Sequence, residues 1–315
     1  MYFHQLIKKG DSVAIVAPSG KISSADLDIT IEVLESWGLK VVLGKNVYCQ
    51  YQNFAGTDAE RISDLQWALD DPQINVILCA RGGYGLSRII DDLSLKRFKS
   101  TPKWVIGYSD ITALLLKLQS IGIASIHGPM ATSFNMKKDQ EAIKALKSLL
   151  FEGISSLESM KSIQPGLKAN YVVDAEITGG NLSLLIDSLG TDNEVNTAGK
   201  ILFIEEIGEK LYKIDRMFRH LKRANKLTHL AGLIIGQFSE INNGPEAENK
   251  SVEEIIISTL GKVSYPLRFG FTFGHDPVNL PIVVGANYLL KTNSTSTTLM
   301  WRHPNLEDQS KDQAS

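Results

Sequence analysis

The sequence predicts an α/β protein with two domains: an N-terminal domain built on a doubly wound, mostly parallel sheet, and a smaller mixed α/β C-terminal domain. Three observations predict it. Short β-branched runs alternate with helical patterns through the first half. Those runs are continuously apolar, as strands covered on both faces are. After about residue 170 the rhythm changes, and strand-like runs are separated by one charged amphipathic stretch and by glycine-rich segments.

Taken in order, "SVAIVAP" (12–18) reads as the first strand, and a helical pattern near 23–37 follows, with Gly38 just past its end. "KVVLG" (40–44) comes next, then a helix near 58–70 that opens with the capping-box spacing Thr57-Asp58-Ala59-Glu60. "NVILCA" (75–80), a helix from about 86, "WVIGYS" (104–109), a helix from Ile111 and "ASIHG" (124–128) continue the series of βαβ units. Around 151–170 the periodicity fades and Pro165-Gly166 interrupts it, so 1–155 is read as the first domain, 156–169 as a linker and 170–315 as the second domain. The second domain carries "KILFIEE" (200–206), the charged helix "KLYKIDRMFRHLKRAN", the strand "LAGLIIGQF" and the glycine-rich "RFGFTFGHDPVNLPIVVGANY". The polar tail "HPNLEDQSKDQAS" is expected to fray.

Composition narrows the function. The chain has 315 residues, 43% hydrophobic and 22% charged, with a formal net charge of -2. Its basic residues are spread along the chain, which argues against a phosphate-backbone partner. No apolar run reaches the length of a membrane span and the N-terminus lacks a signal-peptide pattern, so the expected compartment is the cytoplasm. With only Cys49 and Cys79, there is no disulfide scaffold and no Cys/His cluster at zinc spacing. Neither a metal nor a cofactor is expected.

Open α/β sheets place their sites at the carboxyl ends of strands. Ser109, the loop Gly82-Gly83-Tyr84-Gly85 and His127 all occupy such ends. A serine on a tight strand-to-helix turn is exposed and close to helix N–H groups, as a nucleophile needs to be. Here Gly107-Tyr108-Ser109 has Ile111 where G-x-S-x-G would have its second glycine, and the plainer reading makes Ser109 or Asp110 a helix N-cap. Of six histidines, His220 reads as solvated, His4 and His303 lie near the termini and His229 lies in a loop. His275, after "RFGFTF" and beside Gly274, suits a base of fixed orientation, and His127 reads as a pocket wall or a structural histidine. Glu205 and Glu206 end the strand "ILFIEE"; alternation sends them to opposite sides, so that one can orient a histidine while the other is solvated. Gly82 and Gly83 can bring backbone N–H groups close to a ligand and complete an oxyanion hole with the amide of Asp110. That loop lacks the Walker lysine and the G-x-G-x-x-G spacing of nucleotide sites.

The segments "VAPSG", "ARGGYGLSRIIDDL", "IGYSDITALL", "HGPM", "TGGNLSLL", "FIEEIGEKLYKIDRMF", "GLIIGQF" and "GFTFGH", in order from about residue 10 to 290, resemble the L,D-carboxypeptidases of the S66 serine peptidase family, the muramoyltetrapeptide carboxypeptidases. The resemblance implies a cytoplasmic, homodimeric serine peptidase that removes the terminal D-alanine of murein tetrapeptide in cell-wall recycling, with its site in a groove between the two domains. By position it puts the nucleophile on Ser109, the acid on Glu205 by register, and the histidine on His275. It puts "RGGYG" in the oxyanion and substrate region, where Arg81 can meet a terminal carboxylate and Tyr84 looks like the murein branch. Relatives that cleave peptidyl-nucleotide antibiotics of the microcin C type form one alternative. A non-catalytic peptide-binding module is another, and an amidotransferase-like hydrolase would need a cysteine where the chain has Ser109.

Overall fold

A computed structural model describes residues 1–135, 139–159, 170–242, 250–276, 278–304 and 306. These fall into two compact units. The first takes the described residues of Met1–Ser155, Leu280–Val284 and those from Arg302; the second takes those of Ser156–Asn279 and Gly285–Trp301.

In the first unit β1 (Ser12–Val16) leads through α1 (Asp28–Ser36) to β2 (Lys40–Leu43), then through α2 (Asp58–Asp70) to β3 (Val76–Cys79). β4 (Trp104–Gly107), α3 (Thr112–Ser120), β5 (Ser125–His127) and α4 (Gln140–Glu152) follow. β1, β3, β4 and β5 are buried along nearly their whole length, which explains their unbroken apolar sequences. β2 lies at one edge, and its burial is only partial and alternating. The strands are parallel in the order β2-β1-β3-β4-β5, a doubly wound sheet whose order reverses between β1 and β3. Thr57 and Glu60 form the expected capping box at the start of α2.

The second unit's sheet starts with β6 (Ile154–Ser159), β7 (Tyr171–Asn181), α5 (Leu182–Asp187) and β8 (Ile201–Ile207). Next come α6 (Leu211–Arg223), β9 (Gly232–Ser239), α7 (Val252–Leu260) and β10 (Leu267–Arg268). β11 (Ile282–Val284), β12 (Asn287–Thr292) and β13 (Thr297–Arg302) complete the strands. The sheet order is β10-β9-β8-β7-β12-β13-β6, with β10, β9, β8 and β7 parallel and β7-β12-β13 antiparallel. The mixed sheet expected for this half is therefore present. β11 joins the first sheet instead, antiparallel to β5 through Ile282 opposite His127.

Several expectations shift. The stretch 154–159, placed across the start of a linker, is an edge strand with alternating burial; the remainder of that linker, 160–169, lies outside the described residues, as does most of the tail. The helix expected from 86 is two 3-10 turns, Leu86–Arg88 and Ile90–Asp92. Lys117 Nζ there takes the Ile90 carbonyl, at 2.6 Å, which a continuing α-helix would pair, and Leu86 N–H donates to Asp110. β1 and β4 stop at Val16 and Gly107, two residues earlier than expected, which releases 17–20 and 108–109 as loops at the sheet's carboxyl edge.

Candidate active site

In the first unit Ser109 follows β4 by two residues, with a φ of +61°. A left-handed backbone is costly for a non-glycine residue, about 1–3 kcal/mol, and is held only where the surroundings enforce it. The helix-cap reading of Ser109 and Asp110 does not hold: the 3-10 turn Ser109–Ile111 is capped by Tyr108, α3 by Ile111, and neither cap uses a side-chain bond. The half-buried Ser109 opens a 3-10 turn that runs directly into α3.

Gly82 packs directly on it. A Cβ at position 82 would stand 2.9 Å from Ser109 Cβ and 3.1 Å from Oγ, so only glycine lets the loop after β3 come this close. Gly20 N–H donates to the Gly82 carbonyl at 3.0 Å, joining the loops after β1 and β3. Asp110 is buried, and its carboxylate accepts from Ser19 Oγ at 2.6 Å and from Leu86 N–H at 2.9 Å. Three loops thus converge around Ser109. Tyr84 is 60% exposed beside Phe54, ring centres 5.8 Å apart, and Gly83 is exposed next to it. Arg81 is exposed and donates to the Lys21 carbonyl at 3.3 Å. His127 is buried at the end of β5, its ring edge-on to Tyr108.

In the second unit His275 meets Glu205: Nδ1 and Oε2 are 2.7 Å apart, with the Glu205 side chain fully buried. Burial opposes the charged ring, but the Glu205 hydrogen bond and charge, with Glu206 and Asp276, outweigh it and raise the His275 pKa above its ordinary value. The loop bearing His275 is fixed on both sides. Gly274, at φ +130°, donates to Asn279 Oδ1 at 3.0 Å, and Asp276 N–H donates to Gln237 Oε1 at 2.8 Å.

Glu206 is not solvated, as strand alternation suggested; it is 2% exposed. β8 is buried on both faces from Ile201 to Glu206, so the side of the strand opposite Glu205 is covered as well and Glu206 does not reach solvent; the register shift opposite Glu205 puts its extra residue on β9. Its carboxylate accepts from Asn181 Nδ2 at 2.9 Å, Ser183 N–H at 2.8 Å and Ser183 Oγ at 2.6 Å. Burial raises its pKa, partly offset by these bonds. Among the described residues no group of three or more His, Cys, Asp or Glu could hold a metal ion.

Residues that sequence reasoning passed over complete the picture. Ser19, Arg61, Asn181, Ser183, Gln237 and Asn279 all hold the singled-out residues or their loops in place. Ser19, Asn181 and Ser183 lie in quoted segments, "VAPSG" and "TGGNLSLL", where a polar residue next to a strand end was the available signal. Arg61 carries none, because an arginine in a charged helix reads as solvent-facing.

Family models match both halves of the chain: the LD-carboxypeptidase N-terminal domain over residues 13–128 and the LD-carboxypeptidase C-terminal domain over residues 174–290. A probable murein peptide carboxypeptidase of Bacillus subtilis is 35% identical over 298 residues, 92% of each chain. A murein tetrapeptide carboxypeptidase of Pseudomonas aeruginosa is 31% identical, covering 89% of this chain and 93% of its own. Among solved structures, muramoyltetrapeptide carboxypeptidase from Oxalobacter formigenes superposes with a TM-score of 0.84 at 26% identity, over 92% of this chain and 98% of that one. The microcin C7 self immunity protein MccF, at 20% identity and a TM-score of 0.82 over 96% and 99%, shares the fold.

Proposed function

The chain belongs to the LD-carboxypeptidase family and is a serine carboxypeptidase, and on that premise we propose that it releases the terminal D-alanine from murein tetrapeptide with Ser109 as nucleophile, His275 as base and Glu205 as the acid that orients it. The observation that carries this reading is the left-handed backbone of Ser109 at the end of β4, with Gly82 packed against its hydroxyl. Strain of that kind, in a residue type able to attack a carbonyl, is what a nucleophile on a tight turn requires.

The chemistry follows from the groups present. An ionised Glu205 can only accept, so His275 carries its proton on Nδ1 and offers Nε2 as the base. Nε2 takes the Ser109 proton as Oγ bonds to the carbonyl carbon before the terminal D-residue. The carbonyl oxygen becomes an oxyanion, received by backbone N–H groups of Gly82, Gly83 and Asp110. The C–N bond then breaks, the leaving amine takes the proton from His275, and water repeats the sequence to free the acyl group. We assign the substrate's terminal carboxylate to Arg81 and its body to Tyr84, both of which are exposed. We place the reaction in the cytoplasm, in cell-wall recycling, with a homodimer as the working assembly; no helix among the described residues is long and apolar enough to cross a membrane.

Membership of a peptidase family sets aside the non-catalytic binding module. Cleavage of a microcin C-type peptidyl nucleotide is the second reading, supported by fold alone at 20% identity, whereas relatives named for murein peptides reach 35% and 31%. The deciding assay is D-alanine release from tetrapeptide by the wild type and by Ser109→Ala. Release that falls by roughly three or more orders of magnitude in the variant supports the reading. No release by the wild type, with turnover of a peptidyl-nucleotide conjugate, would move the substrate to the second class.

A further inference from the structure

We propose that Arg61 is a positioning residue that sets the Gly82–Gly85 loop against Ser109; this rests on the reading of Ser109 as nucleophile. Arg61 lies on α2, yet its side chain is wholly buried. A buried cation needs partners for its charge and its donors, and those found here are loop carbonyls at the sheet's carboxyl edge. Nη1 donates to the Pro18 carbonyl at 2.5 Å and to the Gly85 carbonyl at 2.8 Å. Nη2 pairs with Asp58, and the guanidinium lies over the Phe54 ring, 5.0 Å from its centre.

Pro18 and Gly85 belong to the loops after β1 and β3, the two strands between which the sheet order reverses. From each loop a second contact leads to the nucleophile. Ser19, next to Pro18, donates to the carboxylate of Asp110, and Leu86, next to Gly85, donates to the same carboxylate. Gly20 holds the carbonyl of Gly82, the residue in contact with Ser109. One nitrogen of a rigid plane therefore bridges both loops, and Asp110 links the same two loops through a second pair of contacts. The residue at 85 is shaped to this contact: a Cβ there would stand 2.7 Å from Arg61 Nη1 and 2.9 Å from Phe54. Lysine has neither the planar fork nor the ring stacking, so charge alone does not reproduce the arrangement.

The test uses full-length wild type, Arg61→Lys and Arg61→Met. Two rates are measured per folded molecule: covalent labelling of Ser109 by a fluorophosphonate, and D-alanine release from tetrapeptide, resolved into kcat and KM. Labelling forms a bond to Ser109 Oγ and places an oxygen in the oxyanion site, so it reads loop position without depending on the natural substrate. Both variants are expected to lose roughly a hundredfold in labelling rate and in kcat, the scale of a lost oxyanion donor, with KM changed by less than about threefold. Unchanged labelling and kcat per folded molecule, or a loss confined to KM, would overturn the proposal. If Arg61→Met does not fold, Arg61→Lys, which keeps the charge and most of the length, decides alone. A wild type that labels at Ser109 beside variants that label equally fast refutes only the role of Arg61; a wild type that does not label at Ser109 refutes the nucleophile assignment and this proposal with it.

Discussion

His275 Nδ1 lies 2.7 Å from Glu205 Oε2, and the carboxylate it meets is fully shut off from solvent. A histidine in that contact is restricted in three ways. Its tautomer is set, its ring plane is set, and its protonated form is stabilised against the burial that would otherwise disfavour it.

A pH dependence follows from the sign of that shift. The base proposed at His275 works when neutral, so activity should rise with pH through the His275 pKa, and the acid limb of kcat/KM should lie above the ordinary histidine value of 6.5. Glu205→Gln removes both the charge and its pull on the proton, leaving burial dominant, so the limb should move to lower pH. The plateau should fall by about four orders of magnitude, as when a triad carboxylate elsewhere is made an amide. A pH–rate profile of the two proteins checks both. A limb that stays in place would mean that another group titrates.

Glu206 should behave differently, although it is the next residue. Its two oxygens accept bonds from Asn181, Ser183 and the Ile207 N–H, and none of those donors belongs to the histidine loop. Glu206→Gln replaces one acceptor oxygen with an NH2 that faces donors. The expected cost is about 1–3 kcal/mol of stability, seen in urea unfolding, with kcat at optimal pH within about tenfold of wild type. Glu205→Gln should show the opposite profile, stable but inactive. Equal kinetic losses in the two variants would refute the division of labour.

The reason these two glutamates could not be told apart earlier is physical. Alternation sends the two carboxylates to opposite sides of β8, but both sides of that strand are covered, so each is buried among its own partners. The parallel strands were legible because β1, β3, β4 and β5 are buried on both faces, so their sequences are apolar without a break. β11, only three residues long, gave no local sign that it crosses to the other sheet, since antiparallel pairing with β5 is set by distant contacts. Ser109 was legible because it stands two residues past the Gly107 end of β4, and His275 because it follows Gly274 in a glycine-rich segment, whereas Arg61 was hidden in a charged helix in which Asp64 is buried as well.

Gly82→Ala tests the closeness of the loop to Ser109, the proposed nucleophile. The added Cβ would fall 2.9 Å from Ser109 Cβ, 3.1 Å from Oγ and 3.4 Å from Met130 Cε. To relieve the overlap either the serine must turn or the loop must retreat, and each spoils the attack geometry. The fold should survive, since such overpacking typically costs about 1–3 kcal/mol. The measurement is the rate of fluorophosphonate labelling at Ser109, expected to drop by about a hundredfold or more. Labelling at the wild-type rate would show that the loop tolerates a methyl group and is not held against the serine.

The last prediction concerns acid stability and a histidine far from the chemistry. His4 is 4% exposed, edge-on to Trp104 with ring centres 4.8 Å apart, and its Nε2 lies 3.2 Å from the Ala124 carbonyl. His303 Nε2 in turn meets the His4 carbonyl at 2.6 Å, tying the end of the described chain to its beginning. Burial lowers the His4 pKa to about 4 despite the Ala124 and Pro102 carbonyls, with the charges of His303 and Lys103 adding to the decrease. The folded state thus keeps this ring neutral while the unfolded chain takes up a proton near 6.5. Its contribution to stability is full above pH 6.5, is lost as pH falls towards 4, and is constant again below that. The gap corresponds to about 3 kcal/mol. His275, whose pKa is raised, acts the other way: its contribution is present below 6.5 and fades only above that value, so it does not mask the acid window. Urea unfolding at pH 7.5 and 4.5 should therefore show the wild type losing about 2.5 kcal/mol more than His4→Gln over that interval, most of the full gap. An equal loss in both proteins would assign the acid sensitivity to other groups.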